Sequence, residues 1–167
     1  TGAGRAVAKQ AGAALKKCVL ELGGSDPFIV LDDAPLDDAI EQAVVARTQN
    51  SGQSCIAAKR FIVADVIYDE FVKGLVDGMR QLEVGDPMEA STDVGPMARP
   101  DLRERLHRQV EESLEAGATC ELGGDIPEGS GNFYPPTVVT DVDAQMPVMF
   151  EETFGPVAAV ARVSDAR

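Results

Sequence analysis

One histidine, His107, and three widely spaced cysteines, Cys18, Cys55 and Cys120, are all that the 167 residues hold of these two residue types. No Cys-x-x-Cys pair and no cysteine–histidine cluster is present, so neither a zinc site nor a disulfide framework is expected. Cations are scarce too: 15 Lys and Arg stand against 28 Asp and Glu, a net charge of −13. Such a balance cannot neutralise a run of phosphates or adhere to an anionic bilayer, which disfavours nucleic-acid and membrane partners. No apolar run approaches the roughly 20 residues of a membrane span. The opening Thr1-Gly-Ala-Gly-Arg5 has no signal-peptide layout, and the cytoplasm is the expected compartment.

The remaining composition, 44% hydrophobic and 26% charged, is that of a globular domain with one core. Ala6, Val7, Ala11, Ala14 and Leu15 recur at helical spacing between Arg5 and Lys17. Val19–Leu22 alternates like a strand, and Phe28–Leu31 is a continuous apolar run of the kind found in buried parallel strands. A helix follows to Thr48, opened by Pro35 and the acidic Asp37 and Asp38. Lys59–Val63 then reads as a second buried strand, and helices are expected over 66–81 and 101–116. Strands over 118–122, 133–140 and 157–161 complete the chain, the prolines of the second suiting an edge or a bulge. Strands alternating with helices through short connections predict an α/β fold, a mostly parallel open sheet with flanking helices.

The chemistry concentrates on Cys55. It lies in Asn50-Ser-Gly-Gln-Ser-Cys55, where small neighbours let backbone N–H groups approach an oxyanion beside the sulfur. An ordinary buried thiol is the bland alternative, and it is the expected fate of Cys18 and Cys120 in their apolar surroundings. Glu21-Leu-Gly-Gly24 stands 34 positions before Cys55, and Glu152 in Glu151-Glu-Thr-Phe-Gly-Pro156 stands 97 positions after it. The tetrapeptide alone decides nothing, because Glu121-Leu-Gly-Gly124 repeats it without partner motifs and reads as structural. His107, among charges with no second base in view, reads as a solvated surface histidine.

These three segments, with Asp26-Pro-Phe-Ile-Val-Leu-Asp-Asp33, Val94-Gly-Pro-Met97 and Phe133-Tyr-Pro-Pro-Thr137 between them, resemble the aldehyde dehydrogenase superfamily over nearly the whole chain. The run Gly52-Gln-Ser-Cys-Ile-Ala-Ala-Lys-Arg-Phe61 is most similar to bacterial succinate-semialdehyde dehydrogenases. The resemblance implies that Cys55 is the nucleophile and Glu21 the general base. It implies that Glu152 and Phe154 meet the ribose and ring of NAD or NADP, with backbone from Leu22 and Gly23 at the nicotinamide amide. The expected reaction is oxidation of an aldehyde to a carboxylate through a cysteine thiohemiacetal and thioester, with succinate semialdehyde a candidate substrate.

Where many such enzymes carry a carboxylate-binding arginine, six residues before the nucleophile, this chain has Gln49. Arg47, about 200° away on the helix, is a poor substitute, and Lys59 and Arg60 are not obvious replacements. By the same resemblance, residues 1–22 are the tail of a dinucleotide-binding domain and 23–167 an incomplete catalytic domain. The intact protein is then a homodimer or homotetramer, and these residues alone turn over negligibly. The alternatives are a thioester-forming branch that uses coenzyme A, against which Glu21 argues, and a non-catalytic partner-binding fragment.

Overall fold

A computed structural model describes residues 1–164 of the chain. Its frame is one five-stranded sheet in the order β1-β2-β5-β4-β3. The strands are β1 (Asp26–Val30), β2 (Ala58–Ala64), β3 (Thr119–Leu122), β4 (Thr137–Thr140) and β5 (Val157–Val163). β1, β2, β5 and β4 run parallel, while β3 pairs antiparallel with β4 at the far edge. The expected α/β class and mostly parallel sheet are therefore observed.

Helices cover both faces, and the two-residue alternation of the strands assigns each side chain to one of them. Val138, Ala158 and Val160 join Phe61 and Val63 against the helices α2 (Leu36–Thr48) and α3 (Asp65–Arg80). Tyr68, Phe71, Leu75, Val76 and Met79 form the buried stripe of α3, at the spacing that places them on one side of a helix. On the opposite face Val139, Val157 and Ala159 pack with Leu106 and Val110 of α4 (Pro100–Glu115) and with Val148 of the short α5 (Pro147–Phe150). Pro100 at the first turn of α4 and acidic residues in the first turns of α2 and α3 fit the free N–H groups and positive dipole end there.

Several expectations are corrected. Val19–Leu22 forms no strand; α1 (Gly2–Ala13) ends earlier than predicted, and an exposed connection runs from it to β1. With no neighbour to supply a hydrogen-bonded ladder, the alternation of Val19–Leu22 stays a pattern only. β1 is parallel but lies at the sheet edge, so only Val30 is buried and Ile29 is 61% exposed. The strand predicted over 133–140 shrinks to Thr137–Thr140. β4 is internal, between β5 and β3, and Pro135 and Pro136 precede it because they cannot donate to either ladder. The last three residues of the expected catalytic portion, 165–167, lie outside the described residues.

Candidate active site

β1, β2 and β5 are adjacent and parallel, so the segments leading into them meet at one end of the sheet. Those segments are Glu21–Gly24 before β1, Gln53–Ala57 before β2 and Glu152–Pro156 before β5. This is how positions far apart in sequence become neighbours. The site lies at the amino ends of the strands, whereas open α/β sheets commonly bind ligands at the carboxyl ends.

A cleft of about 670 Å³ opens there, lined by Glu21, Leu22, Gly23, Cys55, Glu152 and Phe154 together with Gln53, Ser54, Leu102, Arg105, Leu106 and Gln109. All six residues singled out from sequence thus border one space. Glu121 does not: it sits on β3 at the opposite edge and accepts a hydrogen bond of 2.9 Å from Thr140 Oγ1. Gln49 is not among the residues bordering the cleft.

The glycines are explained by contacts. Gly24 N donates to Glu152 Oε1 at 3.1 Å, and a Cβ on Gly23 would collide with the same carboxylate. Gly52 adopts φ +71°, and a Cβ there would run into the backbone of Gly155 and come within 2.8 Å of Pro156 N. The Cys55 loop and the Glu152 turn are therefore packed backbone against backbone. Around them, Gly95 N donates to Ser51 Oγ at 3.0 Å and Ala98 N to Gln53 Oε1 at 2.8 Å, tying the long 84–98 loop to the Cys55 segment.

Two buried cations lie under this loop, and neither was assigned a role from sequence. Arg47, the last basic residue of α2, donates from Nη2 to Gly52 O at 2.7 Å. Burial pushes its guanidinium down to about 10, still far enough above neutrality to leave it charged. Lys59, fully buried, donates from Nζ to Ser54 O, Cys55 O and Ala57 O at 3.0, 2.8 and 3.0 Å. Burial and the charge of Arg47 hold its ammonium below the usual lysine range, against the opposing pull of Glu152, Asp26 and Cys55. A sequence signal existed: two cations flank the Cys55 loop without a carboxylate beside them in the chain.

Other expectations are revised by the contacts. Cys18 is exposed, not buried, because the strand that would have enclosed it does not form. Cys120 is half-buried, with Sγ 3.3 Å from Leu122 O, and burial pushes its thiol up. His107 is not a free surface histidine: Nδ1 lies 3.3 Å from Tyr134 Oη, and the ring is only 20% exposed. Glu21 and Cys55 are both exposed. Among the described residues no group of three His, Cys, Asp or Glu is arranged to hold a metal, and no helix is long and apolar enough to cross a membrane.

Comparison with known proteins finds relatives over nearly the whole chain. The chain is 55% identical over 163 residues to the NADP+ succinate-semialdehyde dehydrogenase of Mycobacterium avium (strain 104), covering 98% of this chain and 34% of that protein. It is 54% identical over 164 residues to the NAD(P)+ succinate semialdehyde dehydrogenase of Escherichia coli (strain K12), covering 98% and 36%. It therefore spans about a third of the length of the curated relatives it matches. Among solved structures, lactaldehyde dehydrogenase of Escherichia coli superimposes with a TM-score of 0.95 at 40% identity, covering 99% of this chain and 35% of that one. Betaine aldehyde dehydrogenase of Staphylococcus aureus, in complex with NAD+, gives 0.91 at 32% identity, covering 97% and 33%. The model of the aldehyde dehydrogenase family matches residues 1–167, and with the three motif segments gathered at one end of the sheet, the chain belongs to that family.

Proposed function

We propose that this chain carries the catalytic portion of an NAD(P)-dependent aldehyde dehydrogenase that oxidises a small aldehyde, succinate semialdehyde by its similarity to named relatives, to the carboxylate. The observation that carries the reading is the convergence of Cys55, Glu21 and Glu152 on one cleft. Cys55 is the nucleophile: its exposed thiolate attacks the aldehyde carbon, forming the S–C bond of a thiohemiacetal whose oxyanion faces the backbone N–H of Cys55. Glu152 and Phe154 would hold NAD or NADP beside it, and the cofactor would supply the acceptor for the hydride lost from this carbon as the adduct becomes a thioester. Glu21 then takes a proton from a water that attacks the thioester, releasing the carboxylic acid and the Cys55 thiolate.

The residues present fit such a cofactor. Glu152 spends one oxygen on Gly24 N–H and keeps the other for a ribose diol, for which a carboxylate is a natural acceptor. Phe154 lines the same cleft with a flat apolar face suited to a nicotinamide ring, and Leu22 and Gly23 present backbone at its rim. α1 is exposed at every position but the buried Gly4 and the half-buried Ala8 and Ala11, which supports reading residues 1–22 as the end of a dinucleotide-binding domain and 23–167 as the catalytic one. The whole protein is then a cytoplasmic homodimer or homotetramer, and these residues by themselves are without turnover.

The deciding experiment is Cys55→Ala in the full-length protein, assayed with NAD and NADP and succinate semialdehyde. Turnover is expected to fall by about 10⁴-fold or more, the scale seen when a covalent nucleophile is removed. Retained turnover would remove Cys55 from the reaction.

A further inference from the structure

Lys59 is fully buried at the start of β2, and among the described residues it forms no ion pair with a carboxylate. A buried ammonium without a paired anion is expensive, and an apolar side chain of the same length would fill the space without that cost. Its three N–H bonds are instead all spent on carbonyls of the nucleophile loop, those of Ser54, Cys55 and Ala57. The consequence follows from peptide geometry. In a trans peptide the C=O and N–H point in opposite directions, and no cis peptide occurs among the described residues. Holding Ser54 O on the buried ammonium turns the N–H of the same peptide, that of Cys55, away from the interior and toward the exposed side on which the cleft lies.

We infer that Lys59 is a positioning residue for the reaction: it fixes and polarises the Ser54–Cys55 peptide so that the Cys55 N–H is a strengthened donor to the oxyanion formed when Cys55 attacks a carbonyl. A hydrogen bond to an ion is about twice as strong as a neutral one, and linked bonds polarise each other. The ammonium thus acts on the oxyanion through one peptide unit, without touching substrate. Arg47, on Gly52 O, holds the other end of the loop. Groups from every neighbouring segment bear on Lys59: Arg47 of α2 opposes its charge, while Glu152, Asp26 of β1 and Cys55 favour it. This inference rests on Cys55 being the nucleophile.

Two reactions of the same sulfur test it in the full-length protein without cofactor. p-Nitrophenyl acetate acylates a thiolate by forming an S–C bond at the carbonyl, through an oxyanion, and p-nitrophenolate leaves with the electrons of its C–O bond. Iodoacetamide alkylates the thiolate by displacing iodide, and no oxyanion forms. In Lys59→Met, Cys55 acylation is expected to fall about 10- to 100-fold, somewhat less than the loss of a whole oxyanion donor. Its alkylation, followed by mass spectrometry of the Cys55 peptide, is expected to change less than about threefold, within the range of modest changes in exposure. Lys59→Arg, which keeps the charge, is expected to recover most of the acylation. Equal losses in both reactions, or no loss of acylation in Lys59→Met, would overturn the inference. Acylation persisting in Cys55→Ala would instead overturn the nucleophile assignment beneath it, so the two failures are told apart.

Discussion

Glu152 and Gly24, 128 positions apart in sequence, are joined by a hydrogen bond of 3.1 Å from the Gly24 N–H to the Glu152 carboxylate. That bond stitches the turn before β5 to the corner before β1, beside the segment that carries Cys55 into β2. It also explains why residue 23 has no side chain: a Cβ there would occupy the place of the carboxylate.

Gly23→Ala is therefore expected to displace Glu152 without unfolding the protein. The group in its way is the far end of a flexible side chain, so the loss of stability should stay within about 1 kcal/mol, as for most substitutions away from a rigid core. The KM for NAD or NADP should rise by about tenfold, the equivalent of one lost hydrogen bond to a charged group. Steady-state kinetics with varied cofactor, alongside a thermal melt, separates the two effects.

Gly52→Ala should behave in the opposite way. Its φ of +71° is costly for any residue with a Cβ, and the added methyl meets rigid backbone at Gly155 and Pro156. Strain of this kind costs about 1–3 kcal/mol before any clash is counted. Urea unfolding should show a clear loss of stability, together with loss of activity as the Cys55 loop shifts.

Glu21→Gln should separate the two halves of the reaction. An amide cannot take a proton from water, so hydrolysis of the thioester slows, by about 10²- to 10⁴-fold if Glu21 is the general base. Formation of the thioester needs no such base. Rapid mixing should therefore show a burst of reduced nicotinamide close to one per site, followed by a slow steady state. A missing burst with normal turnover would remove Glu21 from this role.

The three thiols should label at different rates. Burial pushes the Cys120 thiol up, so less thiolate is present near neutral pH, and its sulfur is engaged with the carbonyls of Leu122 and Gly123. Cys18 and Cys55 are exposed. Limited alkylation with iodoacetamide at pH 7.5 should leave Cys120 the last to react, and raising the pH should speed Cys120 as its thiolate fraction grows. If Cys18 outpaces Cys55, the special reactivity claimed for Cys55 is lost.

Thr153 is fully buried with its hydroxyl lacking a hydrogen-bond partner among the described residues. A buried hydroxyl left unpaired costs about 1–3 kcal/mol, so Thr153→Val, which keeps the shape and removes the polar atom, should leave stability unchanged or raise it by about 1 kcal/mol. A melt of the two proteins side by side decides the sign.

Helix periodicity located α2, α3 and α4 to within a residue or so, because a stripe such as Phe71, Leu75 and Met79 has meaning only on a helix. Strand patterns were less dependable. Val19–Leu22 has the right alternation and finds no partner, and Phe28–Val30 looks central but lies at an edge. A strand exists only when another chain segment completes its hydrogen bonds, and no local pattern reports where that segment is. Arg47 and Lys59 were given no role for a related reason: no local pattern reports that both turn inward to backbone carbonyls of a loop a few residues away.

The amino-acid sequence by itself determined the chemistry on offer: one cysteine among small residues, two separated carboxylates and glycines beside them, in an order that resembles the aldehyde dehydrogenase superfamily. Tertiary structure alone decided that these pieces share a cleft, that Glu152 rests on Gly23 and Gly24, and that Lys59 holds the carbonyls of the Cys55 loop. The physical reason is that residue types carry their reactivity with them, whereas distance between remote positions is created by the parallel pairing of β1, β2 and β5, which brings three separate chain segments to the same end of one sheet.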